Sequence, residues 1–167
     1  MSTKFFNNNI GNTLFDKFKG IAHGMIGFDR FLAVVGFFRS SGYFKLRKEL
    51  GNVSEIKILV GINIDDIFRH HNKIMLMLAD EEKAKEIYDE AFRQDIIDAK
   101  YSPEVEEGIL QMCQDLADGR LQMRIHATKN LHAKFYLCLP QNHGEHTDGW
   151  VIMGSSNISD SGLGISR

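Results

Sequence analysis

FLAVVGFFRSSGYFKLRKELGNVSEIKILVGI, Phe31 to Ile62, holds two apolar runs separated by a polar segment with helix-forming chemistry. The first run, FLAVVGFF (Phe31 to Phe38), is continuous and rich in β-branched and aromatic residues, which suits a strand buried on both faces. Arg39-Ser40-Ser41-Gly42 offers cap residues, Tyr43 to Leu50 reads as a short basic helix, and Gly51-Asn52 ends it. Glu55 to Ile62 (EIKILVGI) is a second buried strand. Strand, helix and strand in about thirty residues form a βαβ unit, which implies a parallel pair joined by a right-handed crossover.

Before this unit, residues 12–23 place Leu14, Phe15, Phe18 and Ile21 at helical spacing. After it, Asn63 to Asp66 reads as a turn and helix start, His70 to Leu78 as helix or loop, and Asp80 to Ala99 as an amphipathic helix. Ser102-Pro103-Glu104 is a helix opening, with Ser as N-cap, Pro at the first position and Glu in the first turn. That helix is expected to run to about Ala117. Leu121, Met123 and Ile125 then alternate with polar residues as in a strand. The composition, 43% hydrophobic and 25% charged over 167 residues, is that of one globular α/β domain spanning residues 1–167. No internal repeat or linker divides it.

LHAKFYLCLPQNHGEHTDGWVIMGSSN, Leu131 to Asn157, carries the chemistry. Alternation from His132 through Lys134 to Tyr136 puts these side chains on one strand face. A polar loop follows (Gln141 to Gly149), and a second apolar run, Trp150 to Met153, ends in Gly154-Ser155-Ser156-Asn157. The hairpin brings an imidazole and an ammonium close to a turn with an Asn amide and backbone N–H groups, a set suited to a phosphate. A histidine attacks phosphorus as a nucleophile, a second acid protonates the leaving alkoxide, and cationic and amide donors hold the equatorial oxygens. His132 alone would more often be a satisfied strand residue, and GSSN alone is common turn chemistry. The combination is the signal.

Net charge, −2, speaks against a polyanion, but its distribution does not. Residues 80–118 hold 13 acidic and 4 basic residues, whereas Gly119 to Gly144 holds four basic residues and no acidic one. A polyanion is thus drawn to one side, although a solvated helix pair explains the acidic run equally well. Arg39, Lys45 and Arg47 are candidate contacts to nucleic-acid phosphates, against the plainer reading of a solvated helix face. Phe37, Phe38, Tyr43 and Phe44 are candidates for base stacking or for the core. His143, Glu145, His146 and Asp148 have metal-ligand chemistry, but a polar hairpin loop is the commoner explanation. Cys113 and Cys138 have no paired spacing and suit reduced residues of a cytoplasmic protein. The start, MSTKFFNNNIGN, has no secretory apolar region and no run reaches transmembrane length.

His132-x-Lys134 with Gly154-Ser155-x-Asn157 resembles the HxK…GSxN signature of the phospholipase D superfamily. FLAVVGFF, ILVG and the closing SSNIS-x-SGL extend the resemblance to nuclease domains attached to bacterial helicases and restriction enzymes. It implies a mixed β-sheet flanked by helices and a metal-independent phosphodiesterase acting on DNA. His132 would be the nucleophile and Lys134 and Asn157 phosphate ligands, supported by Gly154 and Ser155, with Ser156 at the variable position. No cofactor and no metal are implied. One HxK copy in place of the family's two implies a homodimer that brings two His132 side chains together. The segment would be the N-terminal piece of a longer helicase or restriction protein, with a covalently linked ATPase domain. The chain departs from the pattern at Leu139, where the family has an aspartate, and in its longer spacing from His132 to Gly154. Alternatives are a catalytically silent nucleic-acid-binding or dimerisation module and, less in keeping with the absence of a membrane segment, a lipid phosphodiesterase.

Overall fold

Five strands form one mixed sheet in the order β3-β2-β1-β4-β5. The computed structural model describes residues 5–7, 9–24, 27–61, 102–126 and 131–165. Along the chain these are α1 (Leu14–Ala22), β1 (Arg30–Val35), α2 (Ser40–Glu49), β2 (Glu55–Gly61), α3 (Pro103–Ala117), β3 (Leu121–His126), β4 (Phe135–Leu139), β5 (Trp150–Met153) and α4 (Asp160–Leu163). The expected turn at Asn63 to Asp66, the segment His70 to Leu78 and the helix Asp80 to Ala99 lie outside the described residues.

The βαβ unit is present, with β1 and β2 paired in parallel from Arg30 opposite Glu55 to Val35 opposite Val60. β3 adds in parallel to β2. The chain then returns to the other side of β1, where β4 pairs antiparallel, and the hairpin places β5 outside β4. The sequence of connections therefore reverses at β1. In open α/β sheets, the crevice beyond the carboxyl end of a strand at such a reversal is where ligands bind, because the flanking connections diverge there.

Burial alternates along β1, with Phe31, Ala33 and Val35 covered and Arg30, Leu32 and Val34 half-covered. This corrects the reading of FLAVVGFF as buried on both faces. β1 also ends at Val35; Phe38 instead makes a separate parallel bridge to Ile158. The covered face meets one contiguous core. Phe18 of α1 packs edge-on against Phe31 and Tyr136, at centroid distances of 5.4 and 5.2 Å. α1 itself begins with reciprocal capping, in which Thr13 Oγ1 accepts from the Asp16 N–H and Asp16 Oδ2 accepts from the Thr13 N–H. On the opposite face Leu32, Val34, Phe135 and Leu137 are half-covered, and Val151 and Met153 on β5 are exposed.

α2 starts at Ser40, earlier than the Tyr43 expected, because Ser40 and Gly42 enter the first turn instead of capping it. α3 opens as expected, with Ser102 Oγ accepting from the Val105 N–H. The two helices are joined by a buried charge cluster. Asp115, 2% exposed, accepts from Arg47 Nε, Arg47 Nη2 and the Tyr43 hydroxyl. Arg120 lies 3.6 Å away and donates to the Leu50 and Gly51 carbonyls. Burial alone would raise the Asp115 carboxyl, but the Arg47 hydrogen bond and charge, with Tyr43 and Arg120, outweigh it and hold it below the usual carboxylate value. Burial, then the Asp115 charge, raises the Tyr43 phenol.

Arg47 is thereby removed from the set of surface phosphate contacts, since the residue is 8% exposed and its guanidinium is committed to Asp115. Replacing one partner strands the other charge in the core, so Asp115→Ala is expected to cost about 3–5 kcal/mol in urea unfolding. The paired change Asp115→Leu with Arg47→Met is expected to recover most of that loss. A cost below ~1 kcal/mol for the single change would mean the cluster is solvated.

Candidate phosphate site

The segment 131–134 runs into β4 across the carboxyl ends of β1 and β2, and two glycines admit it. A Cβ on Gly61 would lie 2.4 Å from the Leu131 carbonyl oxygen, and one on Gly36 would lie 3.1 Å from the same atom and 3.3 Å from Lys134 Nζ. Any larger residue at position 61 would push the segment off the sheet. The inward alternation then runs through Lys134, Tyr136 and Cys138, the last two inside the core. His132 is placed differently from the expected strand face: it precedes β4 and is exposed.

Lys134 is 7% exposed, and burial lowers its ammonium from the usual lysine value. Its Nζ lies 2.9 Å from His132 Nδ1 and 2.9 Å from the His132 carbonyl oxygen. While Lys134 is an ammonium it can only donate, so Nδ1 is then the acceptor and Nε2 the ring nitrogen that carries a proton. His132 thus presents an Nε2–H donor while Lys134 remains on Nδ1.

The GSSN turn is anchored to the same strand ends. The Gly154 N–H donates to the Lys134 carbonyl (3.2 Å), and the Tyr136 hydroxyl donates to the Ser156 carbonyl (2.6 Å). Asn157 Oδ1 accepts from the Phe37 N–H at 3.1 Å, which leaves the Nδ2 amide as the donor end of that side chain. Gly36 abuts Lys134 and Phe37 follows it, so His132, Lys134 and Asn157 gather at the carboxyl end of β1 although the first and the last are 25 positions apart. Gly154 and Ser155 are exposed at the turn, and Ser156 is half-buried. The arrangement offers one cation and side-chain amide and imidazole donors to a single anion.

Leu139, which stands where an aspartate was looked for, pairs with Arg30 at the opposite end of the sheet. Seven extended residues separate it from His132, roughly 20 Å. A carboxylate there could not orient the imidazole of the same copy, so its absence removes no partner from His132. Asp148 is exposed in the hairpin loop. Neither it nor His143, Glu145 and His146 joins a cluster: among the described residues no group of three or more histidine, cysteine or acidic side chains is arranged for a metal ion. Lys45 faces Asp160 at 3.2 Å. Arg39 is exposed, with its guanidinium carbon 4.4 Å from the centre of the Phe37 ring. Sequence reading did not identify Gly36, the Phe37 amide or Tyr136 as parts of the site; the signals were a glycine inside an apolar run and the alternation that puts Tyr136 on the same face as Lys134.

No protein-family model matches the chain, and no curated protein matches it. Among the described residues no helix is long and apolar enough to cross a membrane. The functional reading therefore rests on the residues and their geometry.

Two changes test the site's construction. The folded state holds the Lys134 proton less tightly than the unfolded chain does, so wild type gains stability relative to Lys134→Met as pH climbs toward 10.5. Comparing the two proteins cancels the tyrosine and cysteine titrations that overlap this window. A difference independent of pH would show that Lys134 is solvated. Tyr136→Phe deletes the bond to Ser156 and is expected to cost about 1 kcal/mol in urea unfolding, since one bond is lost and the buried ring is kept.

Proposed function

We propose that the chain is a phospholipase D-like, metal-independent phosphodiesterase domain that cleaves DNA as a homodimer. The observation that carries this reading is Lys134: a lysine in a nearly closed position at the sheet's reversal point, hydrogen-bonded to His132 and set beside the Asn157 turn. Burying an ammonium costs stability unless it is paired and hydrogen-bonded. Lys134 has two neutral acceptors on His132 and no carboxylate partner among the described residues, and the surrounding donors are those a phosphate requires.

The chemistry needs two copies. With a phosphodiester bound, Lys134 turns from Nδ1 to a non-bridging oxygen, and the imidazole takes up the tautomer with its proton on Nδ1. Nε2 of one His132 then attacks phosphorus, an N–P bond forms, and the P–O bond to the leaving sugar breaks. The leaving oxygen takes the Nε2 proton of a doubly protonated His132 of the partner subunit, which becomes a neutral imidazole. Water then attacks the phosphohistidine, gives its proton back to that second imidazole, and releases the first. Asn157 Nδ2, Lys134 and the Gly154–Ser155 backbone hold the oxygens on which charge develops. The fold is of the phospholipase D type, and the domain belongs to a cytoplasmic helicase or restriction protein.

A second reading, a silent nucleic-acid-binding or dimerisation module, is favoured by one observation. With Lys134 donating to Nδ1, His132 is a hydrogen-bond donor to phosphate, not a nucleophile. Cleavage of plasmid and single-stranded DNA in excess EDTA separates the two. The nuclease reading expects cutting that survives EDTA, falls at least about a thousandfold with His132→Ala, and comes from a dimer by light scattering. Binding without cutting by the wild type, weakened in His132→Ala by loss of the Nε2–H donor, would establish the module instead.

A further inference from the structure

We propose that Phe37 and Arg39 form a stacking shelf for an unpaired nucleobase next to the bound phosphate, so that the preferred substrate is single-stranded nucleic acid. This rests on the phosphodiesterase reading of the same site. Of the four aromatic residues between positions 37 and 44, Phe38, Tyr43 and Phe44 are 3%, 0% and 5% exposed, and their rings belong to the core. Phe37 remains partly exposed. Arg39 has extended backbone, with φ −126° and ψ 133°, so residues 37 and 39 share one side of the chain while Phe38 takes the other. Phe38 is held there by its bridge to Ile158 and by Tyr43, at a ring distance of 6.0 Å.

The Arg39 guanidinium lies against the Phe37 ring, with its carbon 4.4 Å from the ring centre. A guanidinium has two planar faces. Its N–H groups pair in the plane, so with an aromatic ring backing one face, the other face of the exposed Arg39 offers a flat surface on which a base can stack whatever its edge is bonded to. The shelf is adjacent to the phosphate ligands: the Phe37 N–H is bonded to Asn157, and Gly36 touches Lys134. A phosphate held by Lys134 and Asn157 therefore has its own sugar and base within reach of the shelf. Bases inside a duplex are stacked on both faces, so only an unpaired or unstacked nucleotide can use this surface. The contact is tolerant of base identity, because every base has a π-face.

The test uses the full chain carrying His132→Ala, so that the probe survives, and two fluorescein-labelled single-stranded oligomers of equal length. One is oligo-dT and the other is an abasic oligomer with the same phosphates. Anisotropy is expected to show oligo-dT bound roughly tenfold more tightly than the abasic strand. Arg39→Lys keeps the charge but removes the plane, and Phe37→Leu removes the backing ring. Each is expected to abolish the preference while leaving abasic affinity unchanged. Lys134→Met is expected to weaken both oligomers together. Equal binding of both oligomers by the parent would overturn the shelf and leave the phosphate site standing. Binding of neither would overturn the phosphate reading as well. A preference that survives Arg39→Lys and Phe37→Leu would place base stacking elsewhere and also overturn the proposal.

Discussion

Antiparallel pairing of β4 on β1 is the constraint on which the site depends. Were β4 to add beyond β3, the segment 131–134 would arrive at a sheet edge, far from the end of β1. Pairing instead at β1, with Phe135 opposite Val34, it crosses the strand ends at the point where connections diverge. The same pairing fixes register, since a slip of one residue would turn Lys134, Tyr136 and Cys138 outward. Gly36 and Gly61 then set how closely the segment can lie.

That geometry places an ionisable side chain where apolar packing would be more stable. Lys134 occupies a covered position and keeps its ammonium satisfied by the imidazole and carbonyl of His132. Departures of this kind from local consistency concentrate at functional sites, where binding and not stability decides the residue. The other buried charges are of a different kind. Arg47, Asp115 and Tyr43 satisfy one another between α2 and α3, and Arg120 ties the cluster to the end of α2. One cluster is closed on itself and holds two helices together. The other keeps donors in reserve beside a turn.

The two arginines of α2 and its preceding turn show why charge in a sequence is hard to interpret. Arg39 and Arg47 are alike in type and lie eight positions apart. One reaches solvent over Phe37 and the other points into the core at Asp115. Arg47 is turned inward by Asp115, 68 positions distant, which no local pattern reveals.

Sequence alone determined much of the framework. Apolar runs marked β1 and β2, alternation marked β3 and β4, and Ser102-Pro103 marked the opening of α3, because these signals depend on a few neighbouring residues. His132, Lys134 and Asn157 could be named as a group from spacing and chemical type. Only the tertiary structure decided which residues support them. Sheet order brings Gly36, the Phe37 amide and Tyr136 to the site, turns Arg47 away from it, and leaves Leu139 at the far end of β4. These placements follow from long-range strand pairing and burial, and those are properties of the assembled sheet, not of any one segment.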